Sequence, residues 1–210
     1  EFNDAKEYGS ILEISKQNWS ELHARFDEIS NDISIYKSAA LQLYQMVKVA
    51  ELMSQQYDVV VTNPPYMGLR NMSPALFDYV MNNHKDTKQD LFGVFMKICL
   101  ERYCKDFGRI AMITQHVWMF TSGFEEYRRN LYNSRTIKSL VHLGTRAFEE
   151  ISGEVVQTCA FIIAKEKIEG YLGVYKRLVD YENASEKEQQ FFNIKNQYIN
   201  TASNFIEIPG

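Results

Sequence analysis

Residues 57–66 read Tyr-Asp-Val-Val-Val-Thr-Asn-Pro-Pro-Tyr, and the last four set a carboxamide and a phenol ring around two prolines. Asn63 brings hydrogen-bonding capacity and Tyr66 a flat aromatic face. Neither proline can donate a backbone hydrogen bond, and each restricts the residue before it. The amide and the ring are therefore presented on a stiff turn. Gripping a polar group while stacking on a planar one benefits from such stiffness, because nothing has to reorganise when the ligand arrives. The tetrapeptide alone is also compatible with a plain Pro-Pro turn capped by a partly buried Tyr.

The segment before the turn gives it a setting. Val59, Val60, Val61 and Thr62 are four consecutive strand formers and read as a buried parallel strand. The prolines stop that strand, and ligands of open α/β sheets bind at the carboxyl ends of strands. Around it, apolar residues of 16–56 recur at helical spacing, which predicts one or two amphipathic helices. Residues 67–89 read as a polar loop with a short helix near Pro74–Met81, started by Ser73-Pro74. Asp90 is the expected N-cap of a helix running to Tyr103, and Arg109–Thr114 is a second buried strand after Gly108. A loop through Trp118 and Phe120 leads to an N-cap at Thr121 or Ser122. The next helix covers Phe124–Leu131, with Glu125, Glu126, Arg128 and Arg129 outward. Thr136–Leu143, a turn at Gly144, and Val155–Ala164 form an antiparallel pair of strands. Tyr171–Leu178 is strand-like, followed by a polar, charged stretch. Strand, helix, strand, helix, strand, strand is an α/β layout with an antiparallel edge.

With 45% hydrophobic and 24% charged residues the composition is globular, and no apolar stretch approaches the length of a membrane span. No signal-peptide pattern opens the chain, so a cytoplasmic location is expected. The net charge of −4 gives no general attraction to nucleic acid. Cys99, Cys104 and Cys159 lack CxxC spacing and read as reduced and buried. His23, His84, His116 and His142 are scattered, so no metal site is expected.

Asn63-Pro64-Pro65-Tyr66 resembles motif IV of the amino-group methyltransferases that use S-adenosylmethionine, above all the adenine-N6 DNA methyltransferases. Asp90-Leu91-Phe92-Gly93-Val94-Phe95 is similar to the family's motif V, Gly108–Thr114 with Trp118-Met119 to motif VI, and His142–Phe148 to motif VIII. The resemblance implies that the Asn63 side-chain oxygen and the Pro64 carbonyl accept from the two N–H bonds of an adenine amine, and that Pro65 stiffens the turn. Tyr66 and Phe148 become two walls around a base flipped out of duplex DNA. Asp90 and Phe95 fall on the cofactor side, with Phe95 against its adenine. Tyr8–Leu12, Tyr57–Gly68, Phe148–Gln157 and Arg177–Tyr181 together look like the BREX / phage-growth-limitation adenine methyltransferases of bacterial phage defence.

The implied fold is the second half of a Rossmann-like class I methyltransferase sheet plus N-terminal helices. Residues 1–56 form a mainly helical segment, 57–168 the later half of the catalytic domain, and 169–210 the start of a following region. The family's Gly-rich motif I has no counterpart, since Gly9 is the only glycine before residue 57. The ribose acid is unplaced, and Asp4 is the one candidate for motif III. A fragment with an incomplete cofactor site, inactive alone, is the expectation, with duplex DNA, the rest of a parent polypeptide and other phage-defence proteins as its partners. Arg70 and Lys85, in the loop after the tetrapeptide, are placed to contact DNA. Arg128, Arg129, Arg135, Lys138 and Arg146 read mainly as a solvated face, and Asp58 as a structural acid. The alternatives left open are a glutamine-N5 protein methyltransferase, an RNA adenine methyltransferase, and a non-catalytic nucleic-acid-binding module.

Overall fold

In the computed structural model, which describes residues 5–31, 37–148 and 156–206, the valine run is strand β1, Tyr57–Thr62. It is followed by helix α4 (Pro74–Asn83), helix α5 (Leu91–Ile98) and strand β2 (Cys104–Gln115). Helix α6 (Glu125–Ser134) leads to β3 (Thr136–Gly144) and β4 (Thr158–Ala164). Strand β5 (Gly173–Arg177), helix α7 (Ala184–Phe191) and strand β6 (Gln197–Asn200) complete the unit Tyr57–Gly210. The first strand residues foreseen in 155–157 lie outside β4, and Val155 itself lies outside the described residues.

The six strands form one sheet in the order β1-β2-β4-β3-β5-β6. β1 and β2 are parallel, β4 is antiparallel to both β2 and β3, and β5 is parallel to β3. Hence β1, β2, β3 and β5 all point the same way and share one carboxyl edge. The antiparallel strand expected at an edge is interior, between β2 and β3, while β6 pairs antiparallel with β5 at the margin.

Alternation along β2 explains where the core sits. Ile110, Met112 and Thr114 are buried, and across the register they meet Ile163, Phe161 and Cys159 of β4. Helices α5 and α6 supply Phe92, Met96, Tyr127 and Leu131 to the same cluster, with Trp118 and Phe124 from the intervening turns. Each fully buried side chain of this size contributes about 1.5–3 kcal/mol relative to exposure. Gly93 lets α5 approach closely, since a Cβ there would lie 2.5 Å from the Phe124 ring. Within β1 only Val60 packs on the cluster, while Val59 and Val61 are 57% and 72% exposed. The expected two-sided burial of β1 is therefore corrected: it is a marginal strand packed on one face.

Arg128 is a second correction. It lies one helical turn from Phe124 and from Leu131 and Tyr132, on the inward face of α6, and is buried rather than solvated. Its guanidinium donates to the carbonyls of Trp118, at 3.0 Å, and of Thr121. Arg129 is outward and pairs with Glu125. Thr121 does not cap α6 with its side chain; its hydroxyl donates to the Val117 carbonyl instead. Ser73 and Asp90 do cap, accepting from Leu76 and Phe92 N–H respectively. In the tail, Asn183 caps α7, and buried Lys187 donates from Nζ to the Leu178 and Tyr181 carbonyls.

The unit Glu1–Gln56 contains α1 (Ala5–Tyr8), α2 (Trp19–Asn31) and α3 (Lys37–Ser54). His23 on α2 meets Glu51 on α3 at 2.7 Å, and Tyr44 packs its ring against His23 and Phe26. Asp4 lies outside the described residues.

Candidate active site

The turn after β1 stands on the carboxyl edge shared by β1, β2, β3 and β5. Asn63 and Pro65 are exposed, Pro64 is buried and Tyr66 is half-buried. Among the described residues the Asn63 carboxamide makes no hydrogen bond, so its acceptor and donors face solvent unused. Tyr66 leans inward over β2. Its hydroxyl donates to the Ile113 carbonyl at 3.3 Å, and its ring meets Phe92 edge-on at 6.1 Å. Burial pushes the phenol up to about 12, so it stays a donor at neutral pH.

Asp90 ties this turn to helix α5. Its Oδ1 accepts from Met67 N–H at 2.8 Å and from Phe92 N–H at 3.3 Å, while Leu91 N–H donates to the Met67 carbonyl at 3.0 Å. Burial raises the carboxyl above its ordinary value, against the backbone N–H groups that favour the charged form. Phe95, one turn further on, is half-buried and packs against the core. For the cofactor implied by the resemblance the fit is partial: Phe95 offers a ring as a wall, whereas Asp90 is already engaged with backbone.

Phe148 follows β3 on the same edge and is half-buried. It makes no ring contact among the described residues, and Tyr66 meets Phe92 instead. β1 and β3 are three strand spacings apart, about 14 Å, whereas a base between two rings needs them about 7 Å apart. Arg146, with φ of 56°, and Gly144, with φ of 71°, bend the chain after β3. Residues Glu149–Val155 of the Phe148–Gln157 match lie outside the described residues. Arg70 and Lys85 are exposed, and Asp58 pairs with Lys105, which holds its carboxyl below the usual range.

Sequence spacing did not reveal one pair on this edge. His116, just after β2, and His142 of β3 are linked Nδ1 to Nε2 at 2.8 Å, with the Phe120 ring against both. Burial lowers both imidazoles, His142 to about 4. No group of three or more metal-ligating side chains occurs among the described residues, and the three cysteines are free and buried.

The profile of the Eco57I restriction-modification methylase family matches residues 3–148. The chain belongs to that family. Two curated relatives of this Eco57I-family chain align along all of it. The adenine-specific methyltransferase PglX of Lacticaseibacillus casei (strain Zhang) is 37% identical over 222 residues, and BrxX of Escherichia coli O9:H4 (strain HS) 36% over 215. The chain spans 18% of the length of each. Among solved structures, the type ISP restriction-modification enzyme LlaGI in complex with a DNA substrate mimic superposes with a TM-score of 0.51 at 15% identity. That match covers 83% of this chain and 19% of LlaGI. The fold is thus a mixed α/β fold shared with part of that restriction-modification enzyme. No helix of the described residues is long and apolar enough to cross a membrane.

Proposed function

We propose that this chain carries the target-base side of an S-adenosylmethionine-dependent methyltransferase acting on adenine N6 in double-stranded DNA, within a bacterial restriction-modification or phage-defence system. The observation that carries this reading is the unspent Asn63 carboxamide, exposed on a proline-stiffened turn at the carboxyl edge of a parallel sheet. The names of the relatives and the DNA in the LlaGI structure support adenine and DNA as substrate.

An exocyclic adenine amine is a poor nucleophile because its lone pair is delocalised into the ring. The Asn63 side-chain oxygen and the Pro64 carbonyl accept its two N–H bonds, draw the nitrogen toward tetrahedral geometry and free the lone pair. Fixed acceptors need no reorganisation as positive charge develops on the nitrogen. The bound cofactor would supply an electrophilic methyl group. Once the nitrogen is methylated its proton leaves to solvent, so no strong base is required. Tyr66 and Phe148 wall the flipped base, and closing the 14 Å between their strands requires both loops to lean over β2 and β4. Phe95 contributes one wall to the cofactor, and Asp90 fixes the backbone that joins the two half-sites. The rest of the parent polypeptide supplies the remaining cofactor contacts, and the isolated chain is inactive.

The test is methylation of duplex DNA by the parent protein, with N6-methyladenine quantified by mass spectrometry. Asn63→Ala is expected to lower the rate by about 10²–10³, the range for loss of one preorganised hydrogen-bonding group. Wild-type rates in both Asn63→Ala and Tyr66→Ala would refute the assignment, and product analysis separates DNA from RNA or glutamine substrates.

A further inference from the structure

The edge between the Asn63 turn and Phe148 is not bare. Along β2 the inward-facing residues are Ile110, Met112 and Thr114, and His116 continues that alternation one residue past the strand. On β3, His142 lies opposite Cys159, which with Phe161 and Ile163 belongs to the same core cluster. Tyr66 leans to this face too, against Phe92. The His116–His142 bond therefore crosses above β4, on the edge and face of Tyr66, within the gap of about 14 Å between β1 and β3. The exposed Phe120 packs its ring against both imidazoles. A base held between Tyr66 and Phe148 lies over this shelf.

One proton is shared across the 2.8 Å contact, and the ring that supplies it decides what the pair offers outward. Burial lowers both imidazoles, so each is neutral at neutral pH and carries a single N–H. With one N–H spent in the bond, one outer nitrogen is a donor and the other an acceptor. Among the described residues neither His116 Nε2 nor His142 Nδ1 has a hydrogen-bond partner. Arg177, the register partner of His142 on β5, and Lys187 of α7 set positive charge beside His142. Cys159 beneath it on β4 is kept a neutral thiol by burial and adds none. The two cations favour a lone pair on His142 Nδ1, so its proton sits on Nε2 and is donated to His116 Nδ1. That leaves His116 Nε2–H as the outward donor. Adenine carries one amine and, on either side of it, the ring acceptors N1 and N7. The Asn63 carboxamide and the Pro64 carbonyl account for the amine and leave those ring nitrogens unread.

We propose that His116 is a specificity-determining residue of the target slot, its Nε2–H donating to an adenine ring nitrogen beside the amine, with His142 positioning it by fixing the tautomer. This role rests on the adenine-N6 reading above. A donor at N1 rejects guanine, whose N1 carries a proton. A donor at N7 rejects cytosine, which has a C–H on that side of its amine.

The test is single-turnover methylation, by the full-length parent protein, of duplex DNA with adenine, 1-deazaadenine or 7-deazaadenine at the target position. Each analogue puts a C–H where adenine has a ring nitrogen. One of them is expected to lower the wild-type rate about three- to tenfold, the worth of one neutral hydrogen bond, and that analogue names the nitrogen. His116→Ala is expected to lower the adenine rate by the same factor and to lose the discrimination against that analogue. His142→Leu keeps the His116 ring but frees its tautomer, and is expected to weaken the discrimination. A purely structural pair would lower all three rates alike. Absence of discrimination in the wild type, or equal discrimination in wild type, His116→Ala and His142→Leu, would overturn the proposal. Asn63→Ala is expected to slow all three substrates, so the histidine contact can fail while the Asn63 assignment stands. A parent protein that leaves duplex adenine unmethylated overturns both.

Discussion

Replacing Asp90 by Ala and by Asn separates a backbone clamp from a charged ligand contact. In the wild type, Oδ1 accepts from Met67 and Phe92 N–H. Alanine removes a helix cap, worth about 1 kcal/mol, and leaves the half-buried Met67 N–H without its partner, about another 1–3 kcal/mol. A loss of roughly 2–4 kcal/mol follows, or about 4–16 °C in Tm for a unit of this size. Asparagine keeps the acceptor and removes a partly desolvated charge, so Asp90→Asn should stay within about 0.5 kcal/mol of wild type at neutral pH. The sign of the pH dependence is fixed by the raised carboxyl: its contribution is present below the ordinary carboxylate value and is lost as pH rises through the higher folded value. Asp90→Asn should therefore gain on wild type as pH rises across that window. Urea titrations at several pH values measure both effects. Equal destabilisation by Asn and Ala would refute the clamp and point to the charge itself.

His142, lowered to about 4 from an ordinary value of 6.5 by burial first and by His116, Arg177 and Lys187 next, contributes stability that is present above 6.5 and lost as pH falls toward 4. Urea midpoints of His142→Asn should fall less steeply than wild type across that window; parallel curves would contradict the assignment. Gly93→Ala should lose about 1–3 kcal/mol by overpacking, because the new methyl meets the fully buried Phe124 ring at 2.5 Å and the Thr87 carbonyl at 3.1 Å. A thermal melt within 1 °C of wild type would mean that the ring yields without strain.

What could be read from the sequence was local. The valine run, its proline stop and the Asp90 cap follow from side-chain chemistry within a few residues, and each stands where the spacing placed it. Arg128 was misread because charge outweighed position. Spacing from Phe124 to Leu131 and Tyr132 already put it on the apolar face, and that periodicity was the usable signal. The His116–His142 bond joins residues on different strands and depends on their registers against β4, which no spacing encodes. The pocket between α6 and the sheet escaped for the same reason: its rings come from α6, β5, β6 and two separate turns. β6, Gln-Tyr-Ile-Asn, is too short and polar to stand out as a strand.

The interior position of β4 has a consequence for how the molecule is built. β2 and β3 do not pair with each other; residues 158–164 join them. Until that segment leaves the ribosome, the turn bearing Asn63 and the loop bearing Phe148 belong to two unconnected pieces of sheet. Their spacing is then set by the strand inserted between them, whose pairing with β2 is non-local and therefore slow. The segment matched by the family profile ends at residue 148, ten residues before the strand that holds its two ends in register. A polypeptide truncated there would keep the residues proposed for the adenine slot and lose the frame that sets their separation.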